Sequence, residues 1–270
     1  MKQYKKAIAA FLTGLVSTSV NAENLTRSDD NENGSKWVSA THLRRVQSQA
    51  GENDTIEIAS PKILNIGDSR TVGMFYSENR KAYRNAINTK DSNGHQWFAE
   101  VGKGLKWFND NLRAIQEHAQ NSNIVVINLG INDLAMSGSS QNTAEKYLTV
   151  LNKLAEDWHK NGKSVFFSAI NPVGAQYTHA QLFNKKIDNF NQAMREGLSS
   201  DITFIDTNAF IKDQLKTKDF DAAGLHYVSS VNRSIHAYIE SQVLQQWAKT
   251  HQKGNFNMQL ALEKQNTQNH

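Results

Sequence analysis

The sequence predicts an α/β fold in which helices cover both faces of a central parallel sheet. Short, almost continuously apolar runs alternate along the chain with longer stretches of helical periodicity. Apolar runs that do not alternate with polar residues indicate strands buried on both faces, which is typical of parallel sheets. Alternation of strands and helices at this spacing implies right-handed βαβ units.

Four runs have the length and composition of buried strands, and a fifth run is weaker. Most of them end at glycine or at a polar turn residue, where a strand is expected to stop. The four strong runs are 62–66, 123–129, 164–170 and 202–205, and the weaker one is 96–101. Because ligand sites in such sheets form at the carboxyl ends of the strands, these ends are where functional residues are expected.

Four further stretches carry apolar residues every three or four positions, which indicates amphipathic helices. Asn161-Gly162 is a C-terminal stop signal for the stretch that ends at residue 160. The predicted helices are 105–119, 143–160, 180–198 and 231–247.

The two ends of the chain differ in composition from the patterned middle. Three lysines precede the apolar run 7–16, and small residues lead to Ala22, so residues 1–22 have the layout of a secretory signal peptide. The run is too short to span a bilayer, and no permanent membrane anchor is expected. Residues 23–60 form a polar leader, 61–248 the predicted domain and 249–270 a polar C-terminal tail. We therefore expect a periplasmic or secreted protein.

Composition excludes several classes of function. The chain of 270 residues is 39% hydrophobic, enough for one packed domain. Loss of three lysines with the signal peptide reduces its formal charge from +4 to about +1, which removes the charge argument for nucleic-acid binding. It contains no cysteine, so disulfides, zinc–thiolate sites and a cysteine nucleophile are excluded. Its histidines lack compact metal-ligand spacing, and neither a metal nor another cofactor is expected.

Several polar groups follow the predicted strands. Ser69 comes one step after Gly67-Asp68, in a turn that resembles a nucleophile elbow or, alternatively, a simple helix cap. Asn132 follows a later strand and suits either an oxyanion donor or an ordinary turn residue. His226 lies in a predicted loop before the last helix. It is either a general base for Ser69 or a solvated histidine.

Together these segments resemble the successive blocks of the SGNH (GDSL-type) hydrolases. The matching segments are Gly67-Asp68-Ser69, the glycines at 102 and 104, Gly130-x-Asn132-Asp133 and Gly224-Leu225-His226. The resemblance implies a three-layer α/β/α sandwich of flavodoxin-like type. It implies that Ser69 is the nucleophile and His226 the base, and that the N–H groups of Ser69 and Gly104 form the oxyanion hole with the Asn132 amide. Gly102 is the alternative to Gly104, which lies closer to the following helix.

The sequence departs from the family pattern at one position. The family has Asp three residues before the histidine, and here that residue is Ala223. Asp221 is a candidate replacement if the loop is rearranged; a backbone carbonyl is another. Arg70, next to the nucleophile, is expected to contact an anionic group of the substrate or to form a surface ion pair.

The resulting expectation is an exported serine esterase that hydrolyses O-acyl esters through an acyl-enzyme. The expected substrates are short-chain esters of carbohydrate or cell-wall material, with lipid esters as an alternative. Its partner is a small-molecule or glycan ester. Two alternatives remain open: an O-acyltransferase that uses the same residues, and a degenerate glycan-binding module, which Ala223 motivates. The oligomeric state is left open.

Overall fold

The computed structural model describes residues 61–79 and 85–268, and the side chains of 61–78 and 85–250. The predicted signal peptide and polar leader lie outside the described residues. None of the helices in the described part of the chain is both long and apolar enough to cross a membrane.

A six-stranded sheet forms the centre of the described region. Its strands are β1 (Ile63–Gly67), β2 (Asn85–Lys90), β3 (Gln96–Glu100), β4 (Ile124–Asn128), β5 (Ser164–Ser168) and β6 (Ile202–Ile205). They lie in the order β2-β3-β1-β4-β5-β6. All neighbours are parallel except β2, which runs antiparallel to β3 at one edge. The α/β fold with a parallel central sheet is therefore confirmed, with one antiparallel strand added.

Strand β2 was not predicted because its sequence, Asn-Ala-Ile-Asn-Thr-Lys, is mostly polar. Its burial alternates, as expected for an edge strand with one face towards solvent. A register shift between Ile87 and Thr89 further interrupts its pairing with β3.

Eight helices occur in the described chain. They are α1 (Ser69–Asn79), α2 (Leu105–Asp110), α3 (Leu112–Gln120), α4 (Ile131–Met136), α5 (Ser140–Lys160), α6 (Ala180–Gly197), α7 (Thr207–Ile211) and α8 (Ser229–Gln268). A single turn of 3₁₀ helix covers Thr217–Asp219.

Two of the four predicted helices differ clearly from the structure. The predicted helix 105–119 is divided at Asn111, where the backbone leaves helical geometry and the side-chain amide donates to the Trp107 carbonyl. The last helix continues to Gln268, so the backbone of 249–268 is helical where a polar tail was predicted. The proposed domain end at residue 248 stays a prediction.

Two apolar layers hold the helices against the sheet. One face of the sheet, with Leu64, Ile66 and Phe167, packs against α2 to α6. The other face, with Ile63 and Phe166, packs against α1, α7 and α8. Helices on both faces make the three-layer α/β/α sandwich, and they bury β1 and β4 completely at its centre.

Candidate active site

Ser69 begins helix α1 at the carboxyl end of the central strand. Gly67, the last residue of β1, packs so closely against Thr71 that a Cβ there would overlap the Thr71 hydroxyl. The chain therefore turns sharply into the helix after Asp68. This local geometry gives Ser69 the position of a nucleophile elbow.

Asp68 caps the helix that carries Ser69. Its buried Oδ1 accepts a hydrogen bond of 2.9 Å from the Arg70 N–H. Burial raises the pKa of Asp68 to about 6, although the hydrogen bond and the charge of Arg70 act in the opposite direction. The N–H of Ser69 itself, at the start of the helix, has no partner within the helix.

His226 lies within hydrogen-bonding distance of Ser69. Its Nε2 is 2.9 Å from the Ser69 Oγ, although 157 residues separate the two along the chain. Its Nδ1 is 3.0 Å from Asp221 Oδ2. Both bonds are satisfied when Nδ1–H donates to Asp221 and the Ser69 hydroxyl donates to Nε2. Hydroxyl, imidazole and carboxylate thus form one continuous chain.

Asp221 occupies the position left open by Ala223. Its Oδ1 accepts hydrogen bonds from the backbone N–H groups of Leu225 and His226, at 3.0 and 3.3 Å. Burial raises the pKa of Asp221, but the hydrogen bonds from His226 and Leu225 outweigh this effect and the pKa is lowered. The carboxylate is therefore held in its ionised form, the form that orients an imidazole.

A positive φ at Gly224 lets the loop fold back between Asp221 and His226. Gly224 has φ +72, and its N–H donates to the Asp221 carbonyl at 3.0 Å. A Cβ there would lie 2.8 Å from the Tyr177 nitrogen. Because L residues with side chains rarely adopt this conformation, glycine permits the tight turn that brings the carboxylate to the imidazole.

Two candidate oxyanion donors, Gly104 and Asn132, follow the strands on either side of β1. Gly67 pairs with Ala99 of β3 and with Asn128 of β4, so the three strand ends are adjacent. The Asn132 Nδ2, in the first turn of α4, donates to the Lys103 carbonyl at 2.8 Å and so joins α4 to the segment before α2. The role of the Asn132 amide as an oxyanion donor stays a prediction.

Asp133 fixes the helix start behind Gly104. Gly104 directly precedes α2, and a Cβ on it would overlap the Asp133 carboxylate. This carboxylate accepts from the Leu105 N–H at 3.2 Å and from the Tyr147 hydroxyl at 2.6 Å. Burial and the Asp133 charge raise the pKa of Tyr147 well above its usual value. Gly102, in contrast, has φ +76 and open space where a Cβ would be.

The contacts of Asp133 with Leu105 and Tyr147, which hold the start of α2 next to Gly104, were not predicted from the sequence. Asp133 belongs to the Gly130-x-Asn132-Asp133 segment, whose pattern is the signal that could have led to it. Tyr147 lies inside the amphipathic helix α5, and its sequence carries no such signal.

The expectation that Arg70 forms a surface ion pair is wrong. Arg70 is only 5% exposed. Its guanidinium donates to the backbone carbonyls of Asn171, Pro172 and Leu225. These interior carbonyls occupy most of its donors, and contact with an anionic group of a substrate stays a prediction. The sequence could not indicate these hydrogen bonds, because all three acceptors lie more than 100 residues away.

Comparisons with known proteins identify a matching family. A model of the GDSL-like lipase/acylhydrolase family matches residues 66–230, more than half of the chain. A comparison with curated proteins found no match.

Solved structures share the fold at low sequence identity. A proposed acylhydrolase from Bacteroides fragilis NCTC 9343 is 17% identical, with a TM-score of 0.53 over 76% of this chain and 94% of its own. A lipase from a goat rumen metagenome is 18% identical, with a TM-score of 0.51 over 67% of this chain and 97% of its own. With the family match, this shared α/β fold shows that the chain is a hydrolase of the GDSL-like lipase/acylhydrolase (SGNH) family.

Proposed function

We propose that the protein is an exported serine esterase that hydrolyses short-chain O-acyl esters of carbohydrate or cell-wall material. The observation that carries the catalytic part of the proposal is the continuous Ser69–His226–Asp221 contact, with distances of 2.9 and 3.0 Å. Export is supported by the sequence pattern of residues 1–22.

The reaction follows from the hydrogen bonds. The Ser69 Oγ attacks the ester carbonyl carbon while His226 Nε2 takes its proton, and Asp221 stabilises the imidazolium that forms. The tetrahedral oxyanion receives hydrogen bonds from the N–H groups of Ser69 and Gly104 and from the Asn132 amide. His226 then protonates the leaving alcohol, and the acyl group stays on Ser69 as an ester. Water, activated by His226, releases the acid and restores the serine.

Exposure of the triad favours hydrolysis over acyl transfer. The side chains of His226 and Asp221 are both 39% exposed. An acyltransferase has to keep water away from the acyl-enzyme until its acceptor binds. Open access to the imidazole is better suited to a water nucleophile.

Packing beside the proposed oxyanion hole favours a short acyl group. A Cβ on Gly130 would lie 2.7 Å from the Ile170 Cδ1 and 3.1 Å from the Phe190 Cζ. Core side chains therefore fill the space next to Gly130 at this end of β4, which supports a short acyl group.

The proposal is tested with the mature protein and a small activated acetate ester. We expect turnover that Ser69→Ala and His226→Ala each abolish, because either substitution interrupts the proton transfer. Ser241→Ala is a matched control, since its hydroxyl bonds only the Tyr238 carbonyl on α8. Acetylated and deacetylated oligosaccharides then test the substrate class. No turnover by the wild type together with glycan binding would favour the binding module, and transfer to sugar hydroxyls in place of acid release would favour the acyltransferase.

A further inference from the structure

Arg70 connects the helix of the candidate nucleophile to the loop of the candidate base. It follows Ser69 directly in the chain, and its guanidinium reaches the Leu225 carbonyl through Nε at 3.3 Å and Nη2 at 3.0 Å. Leu225 immediately precedes His226. A single side chain thus spans the two segments whose relative position determines the Ser69–His226 distance.

The peptide unit between Leu225 and His226 is held from both sides. Its carbonyl oxygen accepts from Arg70, and its N–H, on His226, donates to Asp221 Oδ1 at 3.3 Å. Asp221 also contacts the imidazole of the same residue through Oδ2. Because the peptide plane sets the direction of the His226 side chain, Arg70 and Asp221 jointly fix the orientation of the ring.

The rest of the guanidinium anchors this arrangement to the sheet. Nη1 donates to the Asn171 carbonyl and Nη2 to the Pro172 carbonyl, in the segment that follows β5. The Tyr227 ring lies 5.1 Å from the Arg70 Cζ, and its hydroxyl donates to the Pro172 carbonyl. Only a planar group with several fixed donors can bond carbonyls in these different directions, which an ammonium group cannot imitate.

We propose that Arg70 is a positioning residue, which holds the Leu225–His226 peptide so that the imidazole meets Asp221 and Ser69 at the same time. This rests on the proposed esterase function for its kinetic consequence. The alternative is that Arg70 only stabilises the fold by satisfying buried carbonyls. The two roles predict different results once Asp221 no longer orients the imidazole. Substitution of a positioning residue then has little further effect on kcat, whereas substitution of a purely structural residue lowers kcat as much as before.

The kinetic test is a double-mutant cycle between Arg70 and Asp221 with an activated acetate ester. We expect Arg70→Met to lower kcat about 100-fold with little change in KM, since a small misplacement of a catalytic group has an effect of this size. In the Asp221→Asn background the same substitution should lower kcat less than about threefold, because coupled residues are not additive. Arg70→Lys retains the charge and should still lose about tenfold, while Arg233→Met, which removes a guanidinium bond to the Ser77 carbonyl of α1, is the matched control.

A second readout does not depend on turnover. In protein labelled with ¹⁵N-histidine, the Nδ1–H proton of His226 is assigned by its loss in His226→Ala. We expect its downfield resonance in the wild type and in Arg233→Met, and its loss in Arg70→Met and Asp221→Asn. If the wild type turns over no ester, the esterase proposal fails while this signal still tests the positioning by Arg70.

Two results would overturn the inference. One is an equal fold-loss of kcat from Arg70→Met in the wild-type and Asp221→Asn backgrounds. The other is an unchanged His226 resonance in a folded Arg70 variant. If Arg70→Met does not fold, the same comparisons are made with Arg70→Lys.

Discussion

Asp221 Oδ2 lies 3.0 Å from His226 Nδ1, although five positions separate the two residues in the chain. The family pattern has its carboxylate three residues before the histidine, where this chain has Ala223. The loop folds back at Gly224, so a carboxylate from an earlier position reaches the same nitrogen. His226 therefore has an acidic partner, although the position usual for that aspartate is occupied by Ala223.

Substitution of Asp221 should affect the rate far more than the fold. We expect Asp221→Asn to lower kcat about 10³- to 10⁴-fold, as observed for the equivalent change in another serine hydrolase, because an amide favours the wrong imidazole tautomer. Steady-state kinetics on an acetate ester measure the effect, and Asp213→Asn, an exposed carboxylate, is the control. A loss below tenfold would mean that another acceptor orients His226.

The Asn132 amide should matter chiefly in the transition state. Asn132→Ala removes one oxyanion donor and also the bond to the Lys103 carbonyl. We expect kcat to fall about 10²- to 10³-fold with a small change in KM. Asn152→Ala removes an amide bonded to the Gly197 carbonyl, away from the strand ends that carry the site, and should leave kcat unchanged. An increase in KM alone would assign Asn132 to ground-state binding.

The two glycines of the loop after β3 can be distinguished by alanine substitution. Gly104→Ala brings a methyl group into the Asp133 carboxylate, which displaces the start of α2, and we expect kcat to fall at least about 100-fold. Gly102→Ala meets no neighbouring atom but adopts a left-handed backbone, so it should cost about 1–2 kcal/mol of stability and little activity. Kinetics and thermal unfolding of both variants measure this. The opposite order of kcat losses would assign the donor to Gly102.

Asp68 makes the stability depend on pH in a defined direction. Its pKa rises from 3.8 to about 6 on folding, so between these values the folded state binds more protons and stability falls as pH rises. Asp68→Asn retains a helix-capping acceptor but cannot ionise. We expect the free energy of unfolding of Asp68→Asn to exceed that of the wild type by up to about 3 kcal/mol at pH 7 and by almost nothing at pH 4.

Urea unfolding at the two pH values measures the difference between variant and wild type. Asp213→Asn is again the control, because its side chain is exposed. If Asp68→Asn changes the free energy of unfolding by the same amount at pH 4 and pH 7, the Asp68 carboxyl group is not protonated more readily in the folded state.

The sequence predicted what depends on local pattern. The β-branched run at β4 and the amphipathic period of α5 identify these elements because burial imposes periods of apolar residues. Ser69, Asn132 and His226 are candidates because parallel strands carry their functional loops at one edge, and the structure brings Ser69 and His226 into contact. The edge strand β2 could not be predicted from an apolar run, because only one of its faces is buried and its sequence is mostly polar.

Contacts between distant segments could not be predicted in the same way. The burial of Arg70 depends on carbonyls of two loops far along the chain, and an arginine is most often exposed. The contact of Tyr147 with Asp133 depends on how α5 packs against α4, which no local pattern records. The sequence offers Asp221 as one candidate partner of His226, but whether its carboxylate reaches the imidazole depends on the backbone turn at Gly224.

The most direct test of the central claim is a search for the acyl-enzyme. The mature protein is mixed with an activated acetate ester, quenched in acid within the first turnovers, digested and analysed by mass spectrometry. We predict one acetyl group on the peptide that contains Ser69, present in the wild type, accumulating to a higher level when a slowly deacylating ester is used, and absent from Ser69→Ala. Acetate release without any adduct on Ser69, or an equal adduct in Ser69→Ala, would contradict the account.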